Sequence, residues 1–367
     1  MTVPLGFAQP GFPWFWEVAD TVIAVLILLN LAVIVAVHGR RIREYARGRR
    51  ERRFRARLEE ILAELDPRTS THGPDWLRRQ VAGFNELERP LAAVALIERL
   101  RPASEEQRQR ILELLREVGA VDLLVRSTRR WLPWRRALAV RTLGWVGAAE
   151  TVPLLIDRAT SDRNRLVRES AVRALGRIRD ARALPLLGDL FRAPGPVGSG
   201  VVYDALVSFG PAAESTFAGA LRSDAESVRV AACYGLVAVA EPDTVKNELE
   251  PLLDNPMPAV RAAAAESLGQ AGGTALPPAL ARATRDEFPA VRKAATVALG
   301  SYDDPYAVEL ASNALLDSDR DTAIRAAEAL VRLSRRPAAA TQAAQVLAET
   351  DAWPVERALI FDSLGAL

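Results

Sequence analysis

The sequence predicts an all-α solenoid that is preceded by a single transmembrane helix. Three observations predict this fold class. A motif that ends in a leucine recurs through residues 134–365 at intervals of 30 to 34 residues, which is typical of stacked small units. Aromatic residues make up only 6% of the chain and alanine fills most apolar positions, which favours closely packed helices over sheets. An uncharged apolar segment, 21–37, stands near the N-terminus.

These observations divide the chain into four predicted parts. Residues 1–16 are a short extracytoplasmic segment, and residues 17–39 are a transmembrane helix. Residues 40–74 are a basic juxtamembrane helix with a linker, and residues 75–367 are the solenoid. The linker is placed at Pro67 to Pro74, where turn-forming residues accumulate.

The transmembrane helix is predicted from the uncharged run TVIAVLILLNLAVIVAV at 21–37. As a helix this run spans roughly 26 Å, close to the thickness of a bilayer core. Acidic residues precede the run and arginines follow it, so the positive-inside rule places the N-terminus outside and everything after Gly39 in the cytoplasm. The expected location is therefore the inner (plasma) membrane, crossed once.

The segment 40–57 holds ten arginines and two glutamates, and we interpret it first as this topology signal. Its apolar residues recur at near-helical spacing, so a helix along the inner leaflet with arginines on anionic headgroups is a second hypothesis. A solvated basic stalk is the alternative. The arginines assigned to the membrane surface are Arg40, Arg41, Arg43, Arg47, Arg49 and Arg50.

Each repeat is predicted to be a pair of helices. Clear copies of the second helix are LVRESAVRALG at 166–176, AVRAAAAESLG at 259–269 and AVRKAATVALG at 290–300. Counting from Val167 as zero, small residues at +4 and the repeat leucine at +8 share one face, so neighbouring helices are expected to approach at +4. The copy at 193–200 departs, being rich in Gly and Pro. A local bend and a groove-lining loop both explain it.

The repeats resemble the HEAT-repeat family, in its short bacterial HEAT-like form, over roughly residues 75–367. The resemblance implies a right-handed α-solenoid of about eight to nine HEAT-like helix pairs. It also implies a ladder between repeats, in which a turn aspartate meets an arginine early in the second helix. The matching residues are Asp162 with Arg168, Asp224 with Arg229, Asp254 with Arg261, and Asp286 with Arg292.

Few residues are suited to catalysis or metal binding. The chain has one cysteine, Cys233, and two histidines, so multi-cysteine metal sites are excluded. Cys233 falls on the helix face that is expected to be buried, where a packed thiol is the ordinary interpretation. We therefore expect no enzyme activity, no cofactor and no metal. The solenoid is mildly acidic overall, which argues against nucleic acid as a partner.

The predicted function is a membrane-anchored cytoplasmic scaffold that binds a protein, itself membrane-associated. Its predicted contact residues occupy the +6 position of the second helices, where the charge changes sign along the array. An ordinary solvated surface is the alternative. A bulky C-terminal end is a further docking point, either for the partner or for a second copy. The assigned residues are Arg141, Arg173, Asp204, Tyr234, Glu266 and Phe361. The resemblance leaves a second hypothesis, a HEAT-like enzyme or accessory such as a chromophore lyase.

Overall fold

A computed structural model gives the structure of the chain. It describes residues 52–66, 70–86, 88–100, 102–193, 195 and 197–349. Outside these ranges lie the predicted membrane span at 17–39, the six arginines assigned to the membrane surface, and Phe361. Among the described residues, no helix is both long enough and apolar enough to cross a bilayer.

The chain forms two compact units, Met1–Ala120 and Val121–Leu367. The predicted start of the solenoid at residue 75 therefore falls within the first unit. That unit contains the helical residues 52–63 (α1), Pro74–Ala82 (α2), Glu88–Arg99 (α3) and Glu105–Glu117 (α4). Helices α2 and α3 both pack on α4.

Aromatic and aliphatic side chains form the core of the first unit. The rings of Phe54 and Phe84 meet edge to face at 5.3 Å, and Ile61, Leu96 and Leu115 of the same unit are fully buried. This arrangement is typical of aromatic pairs in protein cores. Helix α4 begins at a capping box made by Ser104 with Gln107.

A carboxylate holds the loop that follows α1. Glu64 accepts hydrogen bonds from the Thr71 hydroxyl at 2.7 Å, the His72 backbone N–H at 3.0 Å and the Ser70 hydroxyl at 2.9 Å. These donors, led by Thr71, lower the pKa of Glu64 to about 2. His72 also stacks on Trp76, so this histidine orders a loop.

The second unit is built from alternating first and second helices. The first helices are α5 (Ala120–Ser127), α7 (Val152–Ser161), α9 (Leu184–Arg192), α11 (Glu214–Ala220), α13 (Pro242–Leu249), α15 (Pro278–Ala283), α17 (Pro305–Ala314) and α19 (Ala340–Glu349). The second helices are α6 (Pro133–Val146), α8 (Arg165–Ile178), α10 (Ser199–Val207), α12 (Glu226–Val239), α14 (Pro258–Ala271), α16 (Pro289–Leu299) and α18 (Arg320–Leu333). The described residues form no strand; Gly273 and Tyr302 make an isolated bridge.

Local sequence explains where the second helices begin. Pro133, Pro258 and Pro289 start their helices at a position where a missing N–H costs nothing. Helix α8 is capped instead by the Asn164 side chain, which accepts from the Leu166 N–H. Asp319 does the same for α18. A second helix thus begins either with a proline at its first position or with a side chain that caps its first N–H groups.

Successive second helices pack directly on one another, from α6 through α18. A close backbone approach joins the glycine after one repeat leucine to the alanine before the next. A Cβ added to Gly269 would lie 2.8 Å from the Cα of Ala298, and one added to Gly144 would lie 2.6 Å from that of Ala174. The alanines at +4 are buried, as predicted. The glycine–alanine pair is a further close approach between neighbouring helices, which the repeat pattern did not predict.

The copy with the Gly/Pro-rich turn has a shorter second helix. Helix α10 has nine residues, whereas α8 and α12 have fourteen. Val207 replaces the glycine after the repeat leucine, and Gly235 replaces the alanine before the next one. The fully buried ring of Phe217 lies against Gly235, where an added Cβ would come within 2.2 Å of the ring. The aromatic side chain of Phe217 from α11 therefore accommodates the larger residue at Val207 and the smaller one at Gly235.

Candidate protein-interaction surface

Arginines near the start of the second helices form bidentate ion pairs with turn aspartates. Arg136 bonds Asp162 through two contacts of 2.9 Å. Arg261 bonds Asp286 at 2.7 and 2.9 Å, and Arg292 bonds Asp317 at 2.7 and 2.8 Å. In each pair the arginine belongs to one repeat and the aspartate to the turn of the next. Such fork-to-fork pairs fix geometry as well as charge.

These pairs join the arginine of one repeat to the aspartate of the next, whereas the predicted pairs join an arginine and an aspartate of the same repeat. Arg168, Arg229 and Arg292 do reach their predicted partners, but through the backbone carbonyls of Asp162, Asp224 and Asp286, at 2.8, 3.1 and 2.9 Å. One edge of each guanidinium donates to the backbone of the turn in its own repeat. In the three bidentate pairs, the other edge extends along the stacking direction and binds the next carboxylate.

The predicted pairing of Asp254 with Arg261 is wrong for this reason. Arg261 binds Asp286, while the Asp254 carboxylate lies 3.3 Å from the exposed Arg282. Arg229 stands 25 residues before Asp254, as Arg261 stands 25 residues before Asp286. Arg229 would therefore be expected to bind Asp254. Its Nε is instead buried and has no hydrogen-bond acceptor among the described residues. The side-chain ladder is therefore interrupted at this step.

The ladder changes the acidity of its carboxyl groups. Burial of Asp286 by itself raises its pKa, but hydrogen bonds from Arg261 and from the Phe288 N–H outweigh burial, so the pKa is lowered. The bond from Arg292 lowers the pKa of Asp317 in the same way. These aspartates are ionised partners that hold adjacent repeats together at neutral pH.

We expect the ladder to make stability depend on acid pH. A carboxyl whose pKa is lower in the folded state stabilises the fold above its unfolded pKa of about 3.9, and this contribution is lost as pH falls through the folded pKa. The free energy of unfolding should thus fall between about pH 5 and pH 2. Thermal unfolding followed by circular dichroism across this range measures it.

The matched variants for this titration are Asp317→Asn and Asp243→Asn. The first removes a ladder carboxylate and should flatten the acid dependence; the second removes an exposed carboxylate on α13 and should leave it unchanged. An unaltered dependence in Asp317→Asn would contradict the assignment.

The predicted contact residues lie on corresponding positions of five consecutive second helices. We call this set the interaction row; it consists of Arg141, Arg173, Asp204, Tyr234 and Glu266. Their helices, α6 to α14, pack one on the next, so the row follows one face of the stack. Four members are exposed and Tyr234 is half-buried. The predicted sixth contact, Phe361, lies outside the described residues.

Two members of the row contact each other. The Tyr234 hydroxyl donates a hydrogen bond of 2.8 Å to the Glu266 carboxylate of the next repeat. Partial burial, and then this acceptor, raise the pKa of Tyr234 to about 12. Arg173 lies 3.6 Å from Glu169 on its own helix. The row therefore presents an ordered phenol at its fourth position and opposite charges at its two ends.

The charge reversal extends well beyond the row. Residues 126–192 hold fifteen arginines and six acidic residues, whereas residues 193–349 hold thirteen basic and twenty acidic ones. The sequence predicts this change of sign at the +6 position and a mildly acidic solenoid overall, but the net charge does not show how far the division extends. Counting charge repeat by repeat, instead of over the whole domain, would have found it.

The candidate catalytic and metal-binding groups are not brought together. Cys233 is buried as predicted, and burial raises the pKa of its thiol to about 12. A thiol in this state is not a reactive nucleophile. Among the described residues, no three His, Cys, Asp or Glu side chains are grouped as metal ligands.

Comparison with known protein families agrees with this architecture. The family model of HEAT repeats matches residues 120–206, 214–287 and 276–365, more than half of the chain. The chain belongs to the HEAT-repeat family. The matches cover the second helices from α6 to α18 except for Val207, the last residue of α10, and they extend to the segment 355–365 that the sequence assigned to a last repeat.

Several solved structures are similar to parts of the chain. Human deoxyhypusine hydroxylase is 20% identical, with 68% of this chain and 98% of that one covered and a TM-score of 0.29. Kap95p, from a complex with RanGDP, is 12% identical, with 79% and 47% covered and a TM-score of 0.44. The CpcE–CpcF phycocyanin lyase of Nostoc is 21% identical, with 69% and 92% covered and a TM-score of 0.27. No curated protein matches the sequence. At these identities the similarity concerns the fold alone.

Proposed function

We propose that the chain is a membrane-tethered scaffold whose HEAT repeats bind a protein partner through the interaction row. The observation that supports this most directly is the row itself. Its side chains follow one face of consecutive, tightly packed helices, and their charge changes sign from Arg141 and Arg173 to Asp204 and Glu266. A rigid array of this kind holds its contacts in fixed register, which suits recognition of an extended partner surface.

The proposed partner carries the complementary arrangement of charge. An acidic segment faces the arginines on α6 and α8, and a basic segment faces the carboxylates on α10 and α14. Charges of this kind at an interface set orientation and association rate, while an ordered aromatic residue contributes much of the affinity. Tyr234 is that residue, since its ring is held in place by the bond to Glu266.

The predicted span at 17–39 would hold this surface at the cytoplasmic side of the inner membrane. The partner is then another membrane-associated protein. We further propose that the chain acts by binding and not by catalysis. The buried state of Cys233 supports that view, because the chain has no other cysteine to serve as a nucleophile.

Photocrosslinking in intact cells tests the proposal. A photoreactive amino acid at Gln270, which is exposed one helical turn after Glu266 on α14, should give one discrete product in the membrane fraction. The same amino acid at Asp157, which lies on the first helix α7, should not. Adding Arg141→Glu and Arg173→Glu to the Gln270 probe should abolish the product while thermal stability changes little, because both arginines are exposed. A product that survives this charge reversal would contradict binding through the row.

A further inference from the structure

The turn before α6 and the first residues of that helix expose two tryptophans among arginines. The sequence there reads RRWLPWRR, residues 129–136. Trp131 is 83% exposed and Trp134 is 55% exposed. Leu138 lies one helical turn after Trp134 and is exposed too, as is Leu166, which occupies on α8 the position that Trp134 occupies on α6. Helices α6 and α8 pack together, so these four exposed side chains lie at and just before the starts of two neighbouring helices, and we call them the apolar rim.

A cavity of about 410 Å³ lies beside this rim. Its walls come from the turn that precedes α6 and from the turn between α7 and α8. Its charged lining residues are Arg129, Arg130, Arg136, Arg158, Arg163 and Asp162. Trp131 lines it as well, so the rim and the cavity are continuous. We call the rim and the cavity together the basic groove.

Most of the positive charge in the basic groove is not neutralised by the protein. Asp162 is fully engaged by Arg136 in the ladder. Arg129, Arg130 and Arg163 are exposed and form no ion pair within the described part of the chain. Arg158 lies 3.6 Å from its neighbour Asp157, and its buried Nε has no acceptor in the same part. Several guanidinium groups around one opening are suited to phosphate, which they bind through paired N–H donors.

The apolar rim indicates the source of the phosphate. Tryptophan favours the headgroup region of a bilayer, where its ring is partly in hydrocarbon and its N–H remains hydrated. Exposed leucines beside basic residues are typical of surfaces that lie in that interface. A soluble phosphorylated ligand would leave Trp131, Trp134, Leu138 and Leu166 in water. A lipid surface uses the apolar rim and the arginines together.

We propose that the basic groove binds an anionic phospholipid surface, with a headgroup phosphate held among the guanidinium groups and the tryptophans inserted at headgroup depth. This contact is separate from the predicted span at 17–39 and from the interaction row. It requires only the second unit, and it would orient the HEAT repeats on the bilayer.

The test uses the full chain with an environment-sensitive nitrobenzoxadiazole label on Ser161→Cys, at the edge of the cavity. Cys233 is buried and should not react. In vesicles of phosphatidylcholine and phosphatidylglycerol at a ratio of 7:3, we expect a blue-shifted emission that is several-fold brighter than in phosphatidylcholine alone. The same label on Asp243→Cys, which lies on α13, should respond equally in both vesicles.

Two variants of the Ser161-labelled chain show which groups are responsible. The first variant combines Arg129→Glu, Arg130→Glu and Arg163→Glu and should lose the response. The second combines Trp131→Ala with Trp134→Ala and should reduce the response several-fold. All five residues are exposed, so both variants should fold. Equal responses in the two vesicles, or a response that survives the arginine changes, would overturn the proposal. In detergent, a response to inorganic phosphate or to a short DNA duplex that exceeds the response to the anionic vesicles would overturn it as well.

Discussion

Replacing Arg261 with alanine is expected to lower the free energy of unfolding by about 3 to 5 kcal/mol. The side chains of Arg261 and Asp286 are only 10% and 11% exposed, so removal of the guanidinium leaves a nearly buried carboxylate without its partner. Two backbone carbonyls of the preceding turn, those of Asn255 and Pro256, lose their donor as well. Chemical denaturation of the full chain, followed by far-ultraviolet circular dichroism, measures the loss.

Arg282→Ala is the matched control. This arginine also joins two repeats, by a contact of 3.3 Å to Asp254, but its side chain is 64% exposed. Exposed pairs contribute about 0 to 1 kcal/mol, because water screens the charges and the side chains lose entropy on pairing. Equal losses in the two variants would show that the ladder register is not what stabilises the array. In a chain that already carries Asp286→Asn, Arg261→Ala should lower the free energy of unfolding by less, because no carboxylate charge is then left buried.

Replacing Phe217 with alanine is expected to cost about 3 to 5 kcal/mol. The ring is fully buried, meets Phe191 edge to face at 5.4 Å, and lies against Gly235 of α12. Its removal leaves a cavity next to a glycine, which has no side chain to fill it. Denaturation of the full chain again gives the value.

The reciprocal change, Gly235→Ala, should also destabilise, by about 1 to 3 kcal/mol, because the new methyl group would overlap the ring. In the double variant the methyl group enters the space that Phe217 vacates. The combined loss should therefore be smaller than the sum of the single losses. Additive losses would mean that the two positions do not share one space. Gly219→Ala on α11 is the control; its added Cβ meets open space, so a gain of about 0.5 to 1 kcal/mol is expected.

The helical repeat could be predicted from the sequence because each of its requirements is local. The repeat leucine recurs at nearly constant intervals, and in the copies up to Leu330 an alanine or valine stands four residues before it on the same helix face. The buried state of Cys233 followed from the same periodicity. The membrane span at 17–39, the lipid-facing arginines and Phe361 were predicted from equally local signals and stay predictions, because they lie outside the described residues.

The partner of each ladder arginine could not be predicted in this way. Arg261 is close in sequence to Asp254 and distant from Asp286, and both aspartates satisfy the family pattern. The choice depends on the direction in which one repeat is stacked on the next. That direction is a property of the packed helices and leaves no trace in the spacing of residues within one repeat.

The sequence by itself determined that this chain repeats a helix pair, where its turns fall and which residues are buried, because hydrophobic periodicity and turn chemistry act over a few residues. Only the tertiary structure decided which side chains from different repeats meet. It placed Phe217 against Gly235, joined Tyr234 to Glu266, and collected arginines from two separate turns around one cavity beside Trp131. These contacts depend on the distance and direction between stacked helices, which many residues set jointly.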